Sequence, residues 1–263
     1  MRRRALSLAL LPLWLACSAG RTPEPEPYPI VPPQPFAGSG APSSIQKWAA
    51  AMQPKPVVDF FAGLFGRVGV RVSDTGEAFT AVHAGNRILF SDELDEAAVD
   101  FTVSIDSAQV DRMLGYMKAG ELSERARFRI MAVIATPATR ALLARPVIRS
   151  ERLRELLYWI GDADERTQVV LIPPAGEAEV GHTIERHGAV TTVTAGLHGT
   201  VERVYRLSVD DAVEFQRRMI AARSADSLWT WLQFARWYGE MTARVAVPPS
   251  DAGVAVPGAT DRL

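Results

Sequence analysis

The stretch AAVDFTVSIDSAQVDRMLGYMKAGELSERARFRIMAVIATPATRALLA, residues 97–144, decides how the rest of the chain is read. Val99, Phe101, Val103 and Ile105 alternate with Asp100, Thr102 and Ser104, the period of a half-buried strand. Asp106 or Ser107 then caps a helix whose apolar stripe is Val110, Met113, Leu114 and Met117, with Gly120 placed to end it. Phe128, Ile130, Ala132 and Ile134 again alternate, which predicts a second strand that becomes buried on both faces at Met131 and Val133. Thr136-Pro137 is placed to start a second helix, because proline suits the first helical position. No catalytic constellation occurs in this stretch, so its expected role is to form a wall.

Upstream, Ser43 or Ser44 caps a helix carrying Ile45, Trp48, Ala49 and Met52, and Pro54 and Pro56 stop it. A second short helix carries Val57, Phe60, Phe61, Leu64 and Phe65. Residues 69–73, 77–84 and 87–91 read as strands joined by the turns Asp74-Thr75-Gly76 and Gly85-Asn86, an antiparallel meander. The expected fold class is therefore α+β: an antiparallel meander sheet covered by helices on one face, over residues 43–146.

Residues 147–245 repeat the theme of strands followed by helices and read as a second, smaller α+β segment packed on the first. Residues 150–160 suit an amphipathic helix, and Gln168 to Ile172, His182 to Glu185, Val190 to Thr194 and Val201 to Leu207 suit short strands. Ser208-Val209-Asp210-Asp211 resembles a capping box with Asp in place of Glu. The segment ends in an aromatic-rich helix, DSLWTWLQFARWYGEMTAR, residues 226–244, either buried between layers or facing a partner. The half is either a second copy of the first or an elaboration of it. Residues 246–263, rich in Pro and Gly, read as a disordered tail.

The N-terminus is of another kind. Residues 1–16, MRRRALSLALLPLWLA, have the arginine-rich start and short apolar core of a signal peptide. Leu15-Ala16-Cys17 resembles the lipobox of bacterial lipoproteins, although Trp14 stands where that motif usually has Leu. The resemblance implies lipidation at Cys17, the chain's single cysteine, and Ser18 after it implies the outer membrane. The plainer reading is an ordinary secretory signal cut near Ala19, with Cys17 discarded. Residues 17–42 hold 8 of the 18 prolines and read as an extended tether that holds a folded body away from a membrane surface.

Composition narrows the function classes. Apolar residues are 48% and charged residues 22%, so the chain can build a core; the net charge of −1 supplies no field to gather nucleic acid. One cysteine excludes an internal disulfide and a cysteine metal cluster. No phosphate loop, dinucleotide fingerprint or nucleophile elbow occurs. His182 and His187, with His198 or Glu185, have weak metal-site spacing that surface-loop histidines also explain. No metal, cofactor or catalytic residue is expected, and a hydrolase is the least favoured reading.

The order of elements over residues 45–145, with Ala119-Gly120-Glu121-Leu122-Ser123-Glu124 before the last strand and Ala141-Leu142-Leu143 in the last helix, resembles the sterol carrier protein type-two family. It departs at Ile134-Ala135-Thr136-Pro137, where that family has a Gly-Asp-like turn. The resemblance implies an apolar ligand, such as a lipid, acyl chain or sterol-like molecule, held between sheet and helices for carriage or storage. On that reading Phe101, Val103, Met113, Met117, Phe128 and Met131 are the pocket candidates, the methionines being adaptable lining. The competing expectation is a non-enzymatic interaction lipoprotein that docks a protein partner through the aromatic C-terminal helix.

Overall fold

The computed structural model describes residues 43–117, 122–144, 165–187, 190–201, 203–225 and 227–248. The signal-peptide, lipidation, tether and 150–160 helix assignments lie outside the described residues, as does the chain from 249 onward. The fold is α+β, with six helices and two mixed sheets among the described residues. None of these helices is long and apolar enough to cross a membrane.

Helices α1 (Ser44–Ala51) and α2 (Lys55–Leu64) open the body. Ser43 caps α1 by accepting a hydrogen bond from the Gln46 N–H, and Pro56 lies in the first turn of α2, where its missing N–H costs nothing. Their apolar stripes bury Ile45, Trp48, Val57, Phe61 and Leu64. They lie on a sheet of β1 (Arg67–Val72), β2 (Ala78–Ala84), β3 (Arg87–Ser91) and β4 (Phe101–Ile105), in the order β3-β2-β1-β4. The meander is antiparallel, as its tight turns require, but β4 returns to pair parallel with β1. Trp48 meets Phe79 edge-on at 5.7 Å, and the space between sheet and helices is filled with side chains.

Helix α3 (Ser107–Met117) follows β4 and buries Val110, Met113, Leu114 and Met117, the stripe expected. Asp74, in the β1–β2 turn, accepts bonds from the Ser107 N–H and hydroxyl, which fastens the helix start to the sheet and holds the Asp74 carboxyl below its ordinary range.

The strand expected at 128–134 does not form. Residues Glu124–Ala144 are one helix of 21 residues, α4, begun by Ser123, whose hydroxyl accepts from the Ala126 N–H. Phe128, Met131, Ile134, Ala138 and Leu142 recur at helical spacing over about four turns, which outlasts the short alternation that mimics a strand. Pro137 lies inside this helix and does not begin one.

The second sheet comprises β5 (Glu165–Leu171), β6 (Val180–His187), β7 (Val190–Ala195), β8 (Arg203–Leu207) and the short β9 (Ala246–Val247), in the order β7-β6-β5-β8-β9. Ala246 and Val247 thus belong to the folded body, paired with Tyr205 and Val204, and not to the tail. Helix α5 (Val209–Ala225) starts at a capping box, in which the Ser208 hydroxyl accepts from the Asp211 N–H and Asp211 accepts from the Ser208 N–H. Helix α6 (Leu228–Val245) closes the body.

The two halves share one topology. Each has a three-stranded antiparallel meander, a fourth strand parallel to the first, and two helices after it. The register agrees as well: Val72 pairs with Ile105 as Leu171 pairs with Leu207, and the next N–H (Ser73, Ile172) donates to that partner's carbonyl at 2.9 and 2.8 Å. One continuous core joins them, running from Ile45 to Leu207 and Val245. Helix α4 is shared between the sheets: Phe128 and Ile130 are in the common core, while Arg140 reaches β7 and donates to the Val193 carbonyl at 2.9 Å.

Candidate cavity over the second sheet

The matched registers allow the helix-facing rows of the two sheets to be compared position by position. In the first sheet one row is Phe79–Val70–Val103 and the next Ala81–Val68–Phe101. The corresponding rows of the second are His182–Val169–Tyr205 and Ile184–Thr167–Arg203. Phe79, Val68 and Phe101, all buried, therefore correspond to His182, Thr167 and Arg203. An all-apolar face can be closed by packing alone. A face with a histidine, a threonine and an arginine cannot be closed that way without orphaning polar groups.

A cavity of about 450 Å³ lies on that second face. Its floor is alternate residues of β5, β6 and β8, among them Val169, Ile184 and Leu207. Met131, Ala135 and Leu142 of α4 form one wall, and Phe215, Met219, Phe234 and Met241 of α5 and α6 form the others. The size falls within the usual range for small-molecule sites, and most of the lining is apolar. Arg203 and Tyr238 are exposed at its edge, so it opens to solvent there.

The polar groups are few and placed apart. His182 is buried in the floor, and burial pushes its pKa down to about 4, so the ring is neutral near pH 7. Gln216 is buried and its side-chain amide donates to the Leu64 carbonyl at the end of α2. An Arg203 guanidinium N–H donates to the Tyr205 hydroxyl at 3.5 Å. Arg186 lines the end of the sheet beyond Ile184, and its Nε is buried without a hydrogen-bond partner. No acidic residue is among the described residues that line the cavity.

Of the six residues expected from the sequence to line a pocket, Met131 does. Phe101, Val103, Met113, Met117 and Phe128 are buried in the core that fills the space over the first sheet. The sequence reading missed Arg186, Arg203 and Thr167. Their signal was the alternation of His182, Ile184 and Arg186 along β6 and of Arg203, Tyr205 and Leu207 along β8. The histidines considered as metal ligands do not converge. His187 is exposed at the end of β6, and the His198 ring lies 2.7 Å from the Ala195 carbonyl. Among the described residues no group of three His, Cys, Asp or Glu side chains is placed to hold a metal.

The aromatic C-terminal helix divides its tryptophans. Trp231 is buried against Met219 and Ala222, Trp237 is half-buried under Arg218, and Trp229 is 69% exposed beside the exposed Leu232. Comparison with protein-family models, curated proteins and solved structures finds no match to this chain.

Proposed function

We propose that this chain is an envelope lipoprotein that holds an apolar small molecule, a lipid or single acyl chain, for carriage or storage. The observation that carries the reading is the 450 Å³ cavity, with its apolar walls from α4, α5 and α6 and its mixed floor from the second sheet. Ligand sites have this build, a largely apolar enclosure with a few polar groups that fix orientation. The site proposed is not the one expected over β4, where Phe101, Val103 and Met113 fill the space. Lipidation at Cys17 and the proline-rich segment 17–42 would hold the body at the outer membrane. Native mass spectrometry of the full chain purified from its own host tests the binding: a co-purifying lipid is expected, and a strictly empty protein overturns it. Labelled palmitate tests the anchor, and a protein left unlabelled overturns that part alone.

A second reading is favoured by one feature. The exposed pair Trp229 and Leu232, three residues apart on one face of α6, suits docking of a protein partner. It is tested by whether Trp229→Ser abolishes a complex recovered from the host envelope. A complex unaffected by the substitution removes the reading.

A further inference from the structure

The floor of the cavity holds a buried polar side chain that the protein does not satisfy. His182 is 5% exposed, and its neighbours on the same face of the sheet are apolar: Val169 and Ala195 across the strands, Val180 and Ile184 along β6. Among the described residues its ring makes no hydrogen bond, and burial alone sets its charge state. Other polar groups of the lining are already engaged. The Gln216 amide donates to the Leu64 carbonyl, the Tyr205 hydroxyl accepts from Arg203, and the Thr242 hydroxyl donates to the Tyr238 carbonyl at 2.8 Å. At the β5 start the sheet carries charges of both signs, since Glu165 stands opposite Arg186 across β5 and β6. The His182 imidazole is thus a polar group in the middle of an apolar floor, open to a ligand.

The geometry points to an uncharged single-chain amphiphile, of the class of a long-chain alcohol, whose hydroxyl bonds to the His182 ring and whose chain lies against the apolar walls from α4 and α5. The inference rests on the binding reading above and adds the head group of the ligand and the residue that selects it. A hydroxyl both donates and accepts, so it satisfies either ring nitrogen, the bare one or the protonated one. A carboxylate only accepts, and at His182 it would be a charge buried among Val169, Ala195 and Ile184 with a neutral ring as its partner. Buried polar groups in folded proteins nearly always have a hydrogen-bond partner, so an open one in a cavity marks where a ligand's polar atom belongs. At about 30 Å³ per non-hydrogen atom, the cavity holds roughly fifteen such atoms, the size of one dodecanol and too small for a two-chain phospholipid.

The test adds dodecanol or dodecanoate, which share a chain and differ in head, to the purified nitrogen-15-labelled full chain at pH 7. The chain has four histidines, so its ring-nitrogen NMR signals are few, and those lost in His182→Leu belong to His182. Dodecanol should move the His182 ring signals and leave those of His83, His187 and His198 in place. In titration calorimetry dodecanol should bind about tenfold or more tightly than dodecanoate. His182→Leu should weaken dodecanol binding by about tenfold, the worth of one hydrogen bond, while its urea midpoint at pH 7 is retained. Dodecanol bound with the His182 signals unmoved, dodecanol bound as tightly by His182→Leu, or dodecanoate bound as tightly as dodecanol overturns the head-group assignment and leaves apolar binding standing. Failure of both chains to bind overturns both.

Discussion

A methyl group placed on Gly63 of α2 would lie 2.6 Å from Val213 Cγ1 of α5. The two helices, one from each half, are in near backbone contact at this point. Val213 is β-branched and largely confined to one side-chain rotamer in a helix, so it cannot swing aside. Gly63→Ala gains about 1 kcal/mol of helix propensity but incurs an overpacking cost of roughly 1–3 kcal/mol. The expected net is a destabilisation of about 1 kcal/mol in urea unfolding. Adding Val213→Ala should recover it, because the second change removes the atom that clashes. A double variant no more stable than Gly63→Ala would show that the two residues are not coupled.

His182 makes stability depend on pH in a defined direction. Its folded pKa is about 4, against an ordinary value of 6.5, because burial disfavours the charged ring. Above pH 6.5 the ring is neutral in both states and contributes no penalty. As pH falls from 6.5 toward 4, the unfolded chain takes up a proton that the native chain does not, so stability is lost. The full difference corresponds to about 3 kcal/mol. Urea midpoints at pH 7 and pH 5 should show the loss, and His182→Leu should remove most of it. An unchanged slope in that variant would assign the loss to other groups.

Ala135 lines the cavity from α4. Ala135→Phe should fill part of the space, leaving stability unchanged or raised by about 0.5–2 kcal/mol, as cavity-filling substitutions commonly do. Dodecanol affinity, measured by titration calorimetry, should fall by about tenfold or more. A destabilised protein would mean that the space is already occupied by side chains in solution. A stable protein with undiminished dodecanol binding would place the ligand elsewhere.

Trp229 and Trp231 are two residues apart and predict opposite outcomes. Trp231 is buried and meets Phe234 edge-on at 5.5 Å, so Trp231→Ala should cost about 3–5 kcal/mol. Trp229 is exposed, and Trp229→Ala should change stability by less than about 0.5 kcal/mol. Thermal unfolding of the two variants side by side checks this. Equal costs would mean that Trp229 is covered in solution.

Much of the local structure could be read from the sequence because local chemistry dictates it. Ser43 and the Ser208–Asp211 box mark helix starts in the residues and in the structure alike, and the alternation through Phe101, Val103 and Ile105 forms the strand it suggests. The misreading at 128–134 has a physical cause. Phe128, Ile130 and Ile134 fit a period of two, while Phe128, Met131, Ile134, Ala138 and Leu142 fit a helix, and only the longer run decides. The site was harder to read. Its walls come from residues as far apart as Met131 and Thr242, and filled and hollow faces use similar apolar residues. What distinguishes them is the correspondence of Phe79 with His182 and of Phe101 with Arg203, which needs the strand registers.

Helix α4 belongs by sequence to the first half, yet it walls the cavity whose floor is the second sheet. Neither half, cut out and folded alone, would own a complete enclosure. The enclosure is a property of the seam between the halves, and of neither sheet taken singly.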